Sequence, residues 1–181
     1  MYIMQEPEVS LRVAIFYIRK GYTHQDVSVS IDGAHIQTSG SIHFDIRDFL
    51  RENSCIKETE DQNMWQGAYR INGYAPRINV ISKSGVGDVN ILLPDGKILY
   101  IESKKIQRGK VNNEYSAMRE AIGQLMTGCP TQENVVPVVA VPYSRKSWEL
   151  ASLWSQNERM KKAGIRFMLV HESGEITHIG F

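Results

Sequence analysis

The chain has 181 residues, 42% of them hydrophobic, with 21 Lys+Arg against 20 Asp+Glu for a net charge of +1. That length suits one domain with a sizeable core, and the balanced charge excludes binding driven by a strong overall field, so any contact with nucleic acid has to come from local patches. The only cysteines, Cys55 and Cys129, lie far apart with no Cys or His at metal-ligand spacing, which argues against a disulfide framework and a structural zinc site.

Residues 1–8 show no basic segment followed by an apolar run, and no apolar stretch approaches membrane-spanning length. The expectation is a soluble, intracellular (cytoplasmic) protein with no membrane partner. Val9, Val13, Phe16 and Tyr17 recur at helical spacing over residues 8–20, and Gly21 follows Arg19-Lys20 as a stop. Val27, Val29 and Ile31 alternate with polar residues up to Asp32-Gly33, which predicts a hairpin returning over 34–38. Ser41 reads as the N-cap of a short helix using Ile42, Ile46, Phe49 and Leu50. Residues 56–63 are polar and read as a loop. Residues 64–71 and 74–81 around Asn72-Gly73 form a second predicted hairpin, with Pro76 marking an edge strand.

Further on, Tyr115, Met118, Ile122 and Leu125 mark an amphipathic helix from about Asn113 to Gly128 and Pro130. Residues 135–141 read as a buried strand, 147–163 as a helix with Gly164 beyond it, and 165–170 as a strand that Ser173-Gly174 turns into a last one. Strand, helix and strand over 97–141 make a βαβ crossover with parallel strands. The expected fold is α/β, a mixed sheet flanked by helices, in one domain over 1–181, with 1–80 supplying helices and hairpins and 81–171 the core.

The residues that carry chemistry run from Gly87-Asp88 through Pro94-Asp95-Gly96 to Glu102-Ser103-Lys104. Pro94 and Asp95 suit the centre of a type I turn and Gly96 the left-handed position after it, so Leu93 pairs with Lys97. Counting outward, Asn90 faces Tyr100 and Asp88 faces Glu102, with Cβ atoms roughly 5 Å apart, and Lys104 shares that face. Val89, Ile91, Leu93, Leu99 and Ile101 fall on the other face and suit a core. Facing carboxylates repel unless a proton or cation lies between them. Mg²⁺, or Mn²⁺ in its place, accepts such a set together with water and phosphate oxygens, and Lys104 could then orient or help deprotonate an attacking water.

An Asp at a strand start, a hairpin and Glu-x-Lys on the next strand resemble the signature of the PD-(D/E)XK, or restriction-endonuclease-like, nucleases. Asp88, Glu102 and Lys104 match it, and the likeness covers roughly residues 81–171; Gly87 stands in place of the Pro of the family name. The resemblance implies a restriction-endonuclease-like fold, Mg²⁺-dependent endonucleolytic hydrolysis of phosphodiester bonds in DNA, and a homodimer that cuts both strands. It also implies a further acid on an upstream helix, for which we assign Glu8 as a metal ligand ahead of Glu52. Gln124 is similar to the Gln of the Gln-x-x-x-Tyr motif of RecB-like nucleases, although Gly128 holds the Tyr position. Lys83, Ser84, Lys105, Arg108 and Lys110 are candidate phosphate contacts, with Arg145-Lys146 at a helix start as a further pair. Trp65, Tyr69 and Tyr74 could stack on bases or simply pack. Two rival readings are a catalytically silent nucleic-acid-binding or assembly module of the same fold, and a nuclease acting on RNA.

Overall fold

A computed structural model describes residues 3–59, 61, 64–106 and 113–181. Helix α1 (Glu6–Arg19) begins two residues before its apolar periodicity does, because Pro7 lies in the first turn, where a missing N–H costs nothing. Glu6 and Glu8 share that turn, where partial positive charge favours carboxylates. Every residue from 7 to 18 except Arg12 is buried, so α1 is a core helix, apolar nearly all round.

Strand β1 (Val27–Ser30) does not turn back on itself as predicted. It is an inner strand bonded on both sides by later segments, so neither of its edges is free for residues 34–38. Instead the Asp32 side chain accepts a hydrogen bond from the Ala34 N–H and caps a 3-10 turn over Gly33–His35. A separate two-stranded pair follows, β2 (Gln37–Thr38) with β3 (Ser41–Ile42). Ser41 is therefore in a strand. The cap of α2 (Ile46–Glu52) is Asp45, whose side chain accepts from the Asp48 N–H.

The predicted loop over 56–63 opens with an edge strand, β4 (Cys55–Lys57). The second predicted hairpin forms, as β5 (Gly67–Ile71) and β6 (Arg77–Ile81), but Pro76 precedes β6 and β6 is internal, lying between β5 and β1. Next come β7 (Val89–Leu92), β8 (Ile98–Ser103), α3 (Asn113–Gly128) and β9 (Val135–Pro142). The helix predicted over 147–163 is two, α4 (Arg145–Ser155) and α5 (Glu158–Lys162). Asn157 divides them by accepting from the N–H groups of Arg159 and Met160. Strands β10 (Arg166–Val170) and β11 (Ile176–Ile179) close the chain.

Nine strands join in the order β11-β10-β9-β8-β7-β1-β6-β5-β4. β8, β9 and β10 run parallel, as expected of the βαβ crossover, β7 is antiparallel to both β8 and β1, and β1 is parallel to β6. The C-terminal ends of β1, β6, β8, β9 and β10 and the N-terminal end of β7 thus share one edge. Successive residues of the central strands alternate between two cores. Leu99, Ile101, Val138, Ala140, Met168 and Val170 join α1 on one face; Tyr100, Val139, Val141, Phe167 and Leu169 join α3 and α4 on the other. The molecule is a mixed α/β structure with a large mixed sheet flanked by helices. Among the described residues no helix is long and apolar enough to cross a membrane.

Candidate active site

The turn over residues 94–96 sets everything that follows. The Leu93 N–H bonds to the Lys97 carbonyl at 2.8 Å, the Gly96 N–H to the Leu93 carbonyl at 3.0 Å, and Gly96 takes φ +84°. The ladder pairs Leu92 with Ile98, Asn90 with Tyr100 and Val89 with Ile101, which carries Asp88 opposite Glu102. The Asp88 backbone is held on both sides: its N–H donates to the Ile101 carbonyl at 2.9 Å and its carbonyl accepts from the Ser30 N–H at 2.8 Å. Its carboxylate accepts the Ser103 N–H at 2.7 Å.

Asp88, Glu102 and Lys104 line one cleft of about 800 Å³ at the shared edge of the sheet, together with Glu6, Glu120 and Gln124. Burial, then the neighbouring Glu102 carboxylate, push the Asp88 carboxyl up to about 7, against the pull of the Ser103 amide. Glu102 is raised as well, by burial first and by Glu6, while Lys104 works the other way. Lys104 is only 8% exposed. Burial pulls its ammonium down, but Glu6, Asp88 and Glu120 outweigh that and hold its pKa above the ordinary value. Its Nζ lies 3.4 Å from both the Glu6 and the Glu120 carboxylates. Lys104 is therefore a charged group set between α1 and α3.

The upstream acid in the cleft is Glu6, not Glu8. Residues two apart on a helix point to nearly opposite sides, so the first turn of α1 can offer the cleft only one of the two. Glu8 is buried against Arg12, Oε1 to Nε 2.7 Å, and lines a separate hollow with Asp45 and the alternative candidate Glu52. Glu6 also meets His35, Oε1 to Nδ1 3.4 Å, which the capped turn after β1 brings to the mouth of the cleft. Pro7 followed by Glu8 and an apolar run was the available sign that the helix begins at Glu6.

Gln124 lines the cleft, one turn beyond Glu120 on α3. Lys83 and Ser84 line it too, their loop fastened by Ser30, whose hydroxyl donates to the Lys83 carbonyl and accepts the Lys83 N–H. Lys105 lines an adjoining hollow with Gln5, Glu6 and His43. Arg108 and Lys110 lie outside the described residues. Arg145 pairs with Glu149 on α4 and neither it nor Lys146 is among the described residues lining the cleft. Tyr69 is buried with its hydroxyl on the Trp65 carbonyl, and Trp65 packs on the core. Tyr74, in the turn before β6, sits at the opposite edge of the sheet.

Tyr100 is a member of this site that the turn counting passed over as a mere partner of Asn90. Its ring fills the space under Gly87: a Cβ on Gly87 would stand 2.8 Å from Cζ. Gly87 also has φ +72°, which proline cannot adopt. The backbone here therefore excludes a proline at position 87.

Among the described residues, no group of three or more His, Cys, Asp or Glu side chains is arranged to hold an ion. The donor set is a pair, Asp88 and Glu102, with Glu6 beside it on Lys104. A pair of carboxylates completed by water and a phosphate oxygen is the usual environment of Mg²⁺, and the raised Asp88 carboxyl marks a place where positive charge is short. In residue type, Asp88 and Glu102 are oxygen donors of the kind that Mg²⁺ or Mn²⁺ takes. Comparisons with protein-family models, with curated proteins and with solved structures each return no match.

Proposed function

We propose that this chain is a divalent-metal-dependent nuclease of restriction-endonuclease-like fold that hydrolyses phosphodiester bonds in DNA. The observation that carries the reading is the convergence of Asp88, Glu102, Lys104 and Glu6 in one cleft at the edge where β1, β6 and β8 end, a site where half-buried like charges are held together for a reason other than stability. Asp88 and Glu102 would hold Mg²⁺ or Mn²⁺, which would supply Lewis-acid stabilisation of charge on a phosphate oxygen, while Glu6 would keep Lys104 in place.

The remaining work falls to the chain's own groups. Lys104 stays protonated under the influence of three carboxylates, so its part is to orient the attacking water and offset negative charge on the phosphorane rather than to take a proton. Lys83 and the hydroxyl of Ser84, fixed at the mouth by Ser30, would hold the backbone phosphate next to the one cut. Lys105 would hold one farther along. A homodimer would present two such clefts to the two strands of a duplex.

Supercoiled plasmid incubated with the protein and Mg²⁺ or Mn²⁺ tests the reading, beside EDTA and Lys104→Ala controls. Nicking or linearisation is expected with either ion and is lost in both controls. Cutting that survives them overturns the assignment. The molecular mass in solution, with and without a duplex oligonucleotide, tests the dimer.

A further inference from the structure

A second hollow, of about 400 Å³, lies at the same edge, beyond the ends of β9 and β10. Its distinguishing feature is a stacked pair of rings. Tyr143 and His171 lie with centroids 4.2 Å apart and planes 19° from parallel. Both backbones are fixed, the Tyr143 N–H by the Val170 carbonyl at 2.8 Å and the His171 N–H by the Glu175 carbonyl at 2.9 Å, and the His171 ring is held by Nε2 against the Thr177 hydroxyl at 2.9 Å. Tyr143 nevertheless remains 42% exposed. A ring stacked on His171, lining the hollow and still this exposed offers a third ring a place in the stack.

The rest of the hollow favours an aromatic heterocycle over a phosphate. Ile3, Met4 and Ile106 contribute apolar surface, and no Lys or Arg is among the described residues lining it, whereas the neighbouring cleft has Lys83 and Lys104. Two carboxylates, Glu114 and Glu172, also line the hollow, and among the described residues Glu114 accepts a hydrogen bond from the Ser144 hydroxyl at 3.1 Å. A carboxylate has acceptor sites for several, and an exocyclic amino group is the donor that a nucleobase presents.

We infer that this hollow is a subsite for an unpaired, amino-bearing nucleobase stacked on Tyr143 and bonded to Glu114. The inference rests on the nuclease reading for its relation to the cleft. β10 stands two strand spacings from β8, about 10 Å, which matches roughly three nucleotides of one DNA strand at 3.4 Å each. The cleft takes the phosphate and the hollow takes a base a few nucleotides away. A base can reach it only from single-stranded DNA or after leaving its partner.

The test uses single-stranded oligonucleotides carrying one 2-aminopurine, with Ca²⁺ replacing Mg²⁺ so that the strand is bound without being cut. Wild type and Tyr143→Phe should quench the fluorophore, and Tyr143→Ala should lose the quenching and bind about tenfold more weakly. Wild type should bind adenine- or cytosine-rich strands several-fold more tightly than thymine-rich ones, and Glu114→Gln should narrow that gap. If Tyr143→Ala does not fold, the Glu114→Gln comparison decides. Absence of quenching in wild type, or an unchanged base preference in Glu114→Gln, overturns the inference. Plasmid cutting separates the two proposals. Cutting without quenching removes only the base subsite, and quenching without cutting removes only the nuclease.

Discussion

Under the proposed function, Asp88 is the residue on which chemistry and stability oppose each other. Its folded-state pKa, about 7, lies above the roughly 3.9 expected of an unfolded chain. The native state therefore binds the proton more tightly, and stability falls as pH rises from about 4 to about 7. The loss is on the order of a few kcal/mol at most. In EDTA at pH 8, Asp88→Asn should melt several degrees higher than wild type, with the difference shrinking toward pH 4; an unchanged or lower Tm at pH 8 would contradict the strain assigned to this carboxylate. Mg²⁺ should raise the Tm of wild type and leave that of the Asn variant nearly unmoved. Glu6 and Glu8 separate in the same way. Glu6→Gln should lower plasmid cutting at least tenfold and leave the melting temperature close to wild type, whereas Glu8→Gln, which weakens a buried pair with Arg12, should cost on the order of 1 to 3 kcal/mol of stability and little activity. The reverse ranking in cutting assays would restore Glu8 to the site.

At the scale of elements, α1 and β8 are joined by a buried hydrogen bond from the Ser10 hydroxyl to the Ser103 hydroxyl, 2.9 Å. This ties the helix that carries Glu6 to the strand that carries Glu102. Ser10→Ala should cost about 1 to 3 kcal/mol because the Ser103 hydroxyl is left buried without its donor, while Ser10→Ala with Ser103→Ala should recover part of that loss. Denaturant melts of the two single variants and the double check it, and strict additivity would mean that the two hydroxyls do not cooperate. The β7–β8 hairpin was legible in the sequence because its determinants are local: a Pro-Asp-Gly turn and a period of two on either side. The β1 segment was not. Asp32-Gly33 carries a hairpin signal, but β1 is claimed on both edges by β6 and β7, partners about fifty and sixty residues away that no local pattern reveals. Ser41 and Asp45 are both good N-caps. The choice between them follows from the pairing of β2 with β3.

At the scale of the whole molecule, the sequence disclosed the mixed α/β architecture and the downstream βαβ crossover, since a right-handed crossover leaves few alternatives. It did not disclose that the ends of β1 and β6 arrive at the same edge as β8, because the register of the first half depends on nonlocal pairing. That arrangement sorts the aromatic candidates. Tyr74 sits at the edge away from the cleft, so Tyr74→Ala should leave both cutting and DNA affinity within twofold of wild type. A marked loss would place substrate across the face of the sheet instead of along one edge.

The tight packing of Gly87 on the Tyr100 ring bears on how such chains diversify. Gly87, just before β7, lies against Tyr100 on β8, and the space between them admits either a side chain at 87 or a large ring at 100. Across descendants of this sequence the pair should covary, with a proline or alanine at 87 arising only after residue 100 has shrunk and the local backbone has left the left-handed region. A sequence pattern that insists on proline immediately before Asp88 would pass over this chain and any descendant that kept the tyrosine.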